Sequence, residues 1–111
     1  KALIAAGHGA DPRALAEYLR MYEVVASRCH GVRSSGSAAL ELANVAAGRV
    51  DAFFEKGLKI WDIAAGSLLV TEAGGICGEF NGESSYLNKG DIMAAGPKVF
   101  AQLVPLMVPF A

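Results

Sequence analysis

Two carboxylates carry the first chemical signal in this sequence. Glu55 ends the aromatic run Asp51-Ala-Phe-Phe-Glu55, and Asp62 follows Trp61 at the head of an apolar stretch that stops at Gly74-Gly75. Asp is a preferred N-cap, because its carboxylate accepts from the first free amides of a helix. The same place carries the positive end of the helix dipole, which favours a negative charge. Two oxygen donors one short loop apart, near a helix start, have the chemistry to hold a hard cation such as Mg²⁺. The plainer reading is a helix cap and a solvated strand end, and spacing alone leaves both open. A second signal is Gly36-Ser37-Ala38, which opens another apolar helix. Free amides at a helix start, approachable where Gly36 has no side chain, suit a phosphate oxygen or a hydroxyl. A simple N-cap accounts for the same residues. His8, between Gly7 and Gly9, could face a ligand or be an ordinary loop histidine.

The elements that must position these residues alternate between strand and helix. Ala2–Ala6 reads as a buried strand, and Asp11-Pro12 as a helix start with Asp as cap and Pro in the first turn. A helix is expected from Pro12 to Arg28, with Leu15, Leu19, Tyr22, Val25 and Ala26 on its buried face. His30 suits the negative end of that helix. An extended piece at Val32–Ser34 leads to a helix over Ala38–Ala47, apolar nearly all round and therefore packed on most sides, with Gly48 as its left-handed cap. A strand over Val50–Glu55, a helix over Asp62–Ala73 and a strand over Ile76–Phe80 follow. The polar stretch Glu83–Gly90 reads as a loop, Ile92–Ala95 as a small buried strand and Pro97–Leu103 as the last helix. Pro105 and Pro109 break what comes after. Trp61 is expected to anchor packing as a buried aromatic. The spans 38–54 and 64–80 repeat one pattern of helix, glycine cap and strand. This alternation predicts an α/β fold with a mixed sheet flanked by helices, and in such sheets helix starts gather at one edge, where small ligands bind.

The 111 residues form one domain at most. With 53% hydrophobic and 19% charged residues, the composition is that of a buried α/β core and not of a disordered chain. A net charge of −1 gives no electrostatic case for nucleic acid or an acidic membrane surface. The apolar runs are interrupted by Gly, Glu or Asn, so no membrane span is expected. Cys29 and Cys77 lack metal-ligand spacing and read as reduced, buried small hydrophobes, which points to a cytoplasmic protein. A strand-like run that begins directly after Lys1 suggests a piece of something longer.

The run Trp61-Asp62-Ile-Ala-Ala-Gly66, followed by Val70-Thr-Glu-Ala-Gly-Gly75, is similar to the C-terminal motif of the inositol monophosphatase family. Arg33-Ser-Ser-Gly36-Ser37-Ala38-Ala39 and Val45-Ala-Ala-Gly48-Arg-Val-Asp51-Ala-Phe-Phe-Glu55 fit the same family in the same order. The likeness is closest to bacterial members and runs through nearly the whole chain.

The resemblance implies the C-terminal half of a layered αβαβα sugar-phosphatase-type fold. It implies that Asp62 ligates a catalytic Mg²⁺, that Glu55 accepts hydrogen bonds from substrate ring hydroxyls, and that Gly36, Ser37 and Ala38 touch substrate through backbone groups. The implied reaction is hydrolysis of a phosphate monoester, inositol monophosphate or a similar sugar phosphate, by a homodimer. The family's Gly-Glu-Glu stretch and its Asp-Pro-(Ile/Leu)-Asp-Gly-Thr motif, which hold most of the metal, do not occur here. Residues 1–111 are therefore expected to be a C-terminal α/β domain. The N-terminal metal-binding half would be a missing partner, and the chain alone would be inert or nearly so. The alternative is a non-catalytic protein-interaction domain that keeps the phosphatase fold. A stand-alone phosphate- or nucleotide-binding domain is weaker, since a dinucleotide glycine fingerprint and a P-loop lysine are both lacking.

Overall fold

The computed structural model describes residues 2–111. In chain order the elements are β1 (Leu3–Ala6), α1 (Pro12–Ala26), β2 (Gly31–Arg33), α2 (Ala38–Ala46), β3 (Ala52–Glu55), α3 (Ile60–Glu72), β4 (Ile76–Gly78), α4 (Tyr86–Lys89), β5 (Ile92–Ala95) and α5 (Pro97–Met107). A short 3₁₀ turn, Val108–Phe110, follows α5. The central strands are short and apolar at almost every position, so both faces of the sheet need cover.

The five strands lie in the order β2-β1-β3-β5-β4. β1 runs parallel to β2 and β3, while β5 is antiparallel to both β3 and β4. The mixed sheet expected from the sequence is therefore present, and β5 alone runs against the others. Strand side chains alternate between faces. Ile4, Ala6, Phe54 and Met93 pack with Met21 and Val25 of α1 and with Phe100, Leu103 and Met107 of α5. Ala5, Phe53, Ile92 and Ala94 pack on the other side with Leu42 of α2 and with Ile63 and Val70 of α3. A Cβ on Gly66 would stand 2.6 Å from the Leu42 Cβ, so the close approach of α3 to α2 requires glycine there. Gly48 and Gly74 close the two repeated helix–strand units with φ of +77° and +92°, the left-handed caps that the repeat predicts.

Several local expectations are corrected. α1 stops at Ala26, capped by Ser27, two residues short of the expected Arg28, and His30 lies beyond it, exposed. Its buried residues are Met21 and Val25, whereas Leu15, Leu19 and Tyr22 are 41–55% exposed. One face of α1 meets the sheet, and a second apolar stripe lies outside that contact. Trp61 is 77% exposed, so it is not the buried packing anchor expected among the described residues. Glu41 and Asn44, the polar residues of α2, are both buried. The Glu41 Oε1 accepts from the Asn44 amide at 3.1 Å and from Arg33 at 3.3 Å, while Leu40 of the same helix is 52% exposed. β4 ends at Gly78, two residues early, because the Glu79 amide turns to the Glu83 carbonyl instead of a strand partner. The expected loop Glu83–Gly90 contains the helical turn α4. α5 continues through Pro105 to Met107, because Leu103 and Met107 bury one turn apart and hold the helix together across the proline. Cys29 and Cys77 are free and half-buried, and burial pushes the Cys77 thiol up to about 11.

Candidate functional site

The parallel strands β1, β2 and β3 end at the same edge of the sheet. β1 feeds α1 on one face, and the next crossover, through α2, covers the other face. β1 therefore sits between neighbours whose helices depart to opposite sides, the topological setting in which open α/β sheets form a ligand crevice at their carboxyl ends. A cleft of about 470 Å³ opens there. It is lined by the residues that follow each strand: Gly7 and His8 after β1, Ser34 and Gly36–Ala39 after β2, and Glu55, Leu58 and Asp62 from β3 to α3. All five residues singled out from the sequence, Gly36, Ser37, Ala38, Glu55 and Asp62, thus meet in one cleft. A more apolar depression of about 350 Å³ between α1 and α5 contains none of them.

Each side chain is placed by local chemistry. Ser37 caps α2 by accepting from the Leu40 amide at 3.1 Å; the earlier amides of that helix start have no intrahelical partner, and Ala38 and Ala39, which carry them, line the cleft. Asp62 is not the N-cap of α3. The helix begins at Ile60 with Lys59 as cap, and Asp62 sits in its first turn, where its Oδ2 accepts from the Lys59 amide at 2.9 Å. The N-cap reading of Asp62 is thus replaced by a first-turn contact with the capping residue's amide. One oxygen stabilises the helix start, and the side chain still lines the cleft.

Glu55 ends β3 beside Gly7. A Cβ on Gly7 would overlap the Glu55 carboxylate, so the absent side chain is the space that the carboxylate uses. Burial raises the Glu55 carboxyl above its ordinary range; His8 opposes this, and Asp62 adds to it. A carboxyl raised in the folded state favours folding when protonated. That contribution is full below the unfolded value and is lost as pH rises through the folded value. Glu55→Gln, neutral throughout, should gain thermal stability relative to wild type as pH rises from 4 to 8. Melting curves at the two pH values check this, and a gap that narrows toward pH 8 would contradict it.

Several residues that set this geometry were not singled out from the sequence. The β3–α3 connection is clamped from the β5 side. The Gly57 amide donates to Asp91 Oδ1 at 3.0 Å, and the Leu58 amide donates to the Gly90 carbonyl at 2.9 Å. Lys56 reaches Glu17 of α1 at 3.2 Å, bonds the Phe110 carbonyl and lies 5.5 Å from the Phe80 ring centre. Asp91 and Lys56 stand next to apolar strands, where a charge reads as an ordinary strand end, so no local signal marks them. Arg33 turns to the buried Glu41 of its own chain at 3.3 Å. Glu72 is exposed and forms no ion pair among the described residues.

Asp62 offers one hard oxygen ligand of the kind Mg²⁺ takes, but Mg²⁺ demands a near-octahedral set. Among the described residues no group of three or more His, Cys, Asp or Glu side chains is placed to hold a metal ion.

A mixed sheet covered on both faces, with a cleft at the ends of its parallel strands, defines an α/β protein of the layered sheet-and-helix class. The sequence model described as the inositol monophosphatase family matches residues 3–107, and the chain belongs to that family. It is 47% identical over 95 residues to the Nus factor SuhB of Pseudomonas aeruginosa, covering 86% of this chain and 35% of that protein. Among solved structures, the extragenic suppressor protein suhB of Bartonella henselae superposes with a TM-score of 0.90 at 38% identity, over 96% of this chain and 41% of that one. The inositol monophosphatase of Anabaena (Nostoc) sp. PCC 7120 superposes with a TM-score of 0.89 at 33% identity, over 98% and 46%. The chain thus spans about a third of the length of the curated relatives it matches. No helix among the described residues is long and apolar enough to cross a membrane.

Proposed function

We propose that this chain is the substrate-recognition part of a Mg²⁺-dependent phosphate monoester hydrolase acting on inositol monophosphate or a similar sugar phosphate. The observation that carries this reading is the convergence of Glu55, Asp62 and the Gly36–Ala38 helix start on one cleft. In this reading the amides at the start of α2 receive an anionic or hydroxyl oxygen, and the Glu55 carboxylate accepts from substrate hydroxyls. Asp62 is one metal ligand, and the others come from the rest of the protein. Bound Mg²⁺ supplies Lewis acidity and an activated water.

Residues 1–111 then form the C-terminal α/β domain of a longer protein, active as a cytoplasmic homodimer and inert or nearly so without its N-terminal half. The exposed Trp61, Leu68 and Leu69 of α3, together with Leu40 of α2, support this, since large apolar side chains left in water are normally covered in a complete fold. In the full-length protein, phosphate release from inositol 1-phosphate should require Mg²⁺, and Asp62→Asn should reduce it to the metal-free level. Full activity in Asp62→Asn would overturn the assignment.

The relatives named as Nus factors favour a second reading, an interaction domain built on the phosphatase fold. The two are separated by Asp62→Ala, since an interaction role survives this substitution and hydrolysis does not.

A further inference from the structure

We infer that Glu41 is a positioning residue: paired with Arg33 at the base of the turn that opens α2, it holds residues 34–38 in the shape that receives a substrate oxygen. This rests on the function proposed above and deepens it.

Glu41 lies in the first turn of α2, with its side chain 1% exposed. Arg33 ends β2, eight residues earlier. Their contact at 3.3 Å therefore ties the end of the strand to the first turn of the helix, across the turn between them. That turn is the part which lines the cleft, through Ser34, Gly36, Ser37, Ala38 and Ala39. Packing does little to hold it. Ser34 to Ser37 are exposed, Gly36 has a left-handed φ of +83°, and a Cβ on Gly36 would meet nothing within 4 Å. On the inner side, the Glu41 Oε1 also accepts from the Asn44 side-chain amide at 3.1 Å. The Asn44 carbonyl in turn accepts from the Arg49 amide at 2.9 Å, so the carboxylate is fixed to the far end of the helix.

The energetics point to position and not to stability. Among the described residues, Glu41 Oε2 is buried without a hydrogen-bond partner, and an unpaired buried oxygen is costly. Apolar side chains of similar volume often match or exceed the stability of such a buried pair, whereas removing one partner strands the other. Geometry supplies the reason that stability does not. The pair sets the direction in which α2 starts, and with it the direction of the free amides. Arg33 also balances the charge of Glu41, which alone would oppose an anionic oxygen at the helix start.

The test uses the full-length protein with Mg²⁺ and inositol 1-phosphate. It reads the thermal midpoint, KM and kcat, and amide hydrogen exchange over residues 34–40. Arg33→Met should lower the midpoint, because it strands the Glu41 carboxylate. Adding Glu41→Met removes that charge, so the double variant should recover the midpoint. Its KM should still be raised about three- to tenfold, the factor carried by one hydrogen bond, with kcat little changed. Its exchange over residues 34–40 should be faster than in the wild type. Glu41→Gln keeps an acceptor for Arg33 and Asn44 and should hold KM near the wild-type value. A double variant with wild-type KM overturns the inference, since binding would then recover along with stability. Unchanged exchange in the double variant overturns it too. Should the double variant fail to fold, Arg33→Lys decides: it keeps the charge without the planar fork, and a wild-type KM there overturns the inference. A wild-type protein that leaves the substrate intact overturns the proposed function, and exchange over residues 34–40 then decides alone whether Glu41 holds the turn.

Discussion

Phe54→Ala should lower folding stability by about 3–5 kcal/mol, the range for truncating a fully buried aromatic. The Phe54 side chain is 0% exposed and lies in the centre of the sheet, beside Met93 of β5 in register. It packs in the cluster formed by Met21, Phe80 and Met107. Its ring meets Phe80 edge-on with centres 6.2 Å apart, a geometry that adds about 0.5–1.5 kcal/mol beyond area burial. The hole left by alanine would be walled by strands that cannot collapse without breaking the ladder, so the cavity persists. Against a total stability of about 5–15 kcal/mol, this loss is severe. Urea titration should show a lower midpoint with an unchanged slope. Phe54→Leu, which leaves a smaller cavity, should cost less. A loss below about 1 kcal/mol for Phe54→Ala would mean that this part of the core repacks.

Gly90→Ala should cost about 2–4 kcal/mol and should also weaken substrate binding. Two effects add. Gly90 has φ of +83°, a left-handed conformation that costs an L-residue about 1–2 kcal/mol. The Leu58 carbonyl occupies the place of the missing Cβ, and a backbone group cannot step aside as a flexible side chain can. The same residue accepts the Leu58 amide at 2.9 Å. Forcing Leu58 away therefore moves the connection between Glu55 and Asp62, which lines the cleft. Gly82→Ala is the matched control. Its φ is +88°, but the nearest atom to an added Cβ is Val104 Cγ2 at 3.7 Å, so only the conformational cost applies. Thermal unfolding of the two variants together with substrate KM separates the effects. Stability should fall in both, and KM should rise only in Gly90→Ala. An equal response in the two variants would remove the link between this seam and the site.

The residues of the cleft were legible in the sequence because their signals are local. A carboxylate at a strand end, an acidic residue at the head of an apolar helix and a glycine-serine helix start each follow from short-range backbone chemistry. The strand–helix alternation followed in the same way, and it led to the mixed sheet. Local order did not reveal which atoms would be neighbours. The pairing of β3 with β5 brings Gly90 and Asp91 against the loop that carries Asp62, and only that non-local pairing explains why the loop holds its shape. The same limit explains the errors. Trp61 and Leu19 read as core by their apolar character, yet burial depends on which helix face the sheet covers, and these lie outside that contact. Glu41 is charged yet buried, because Arg33 and Asn44, brought to it by the fold, hold it inside. Sequence order alone determined the elements and the chemical types in the cleft. The sheet order, set by packing both faces of five short strands, decided that these types meet and that His8 stands among them.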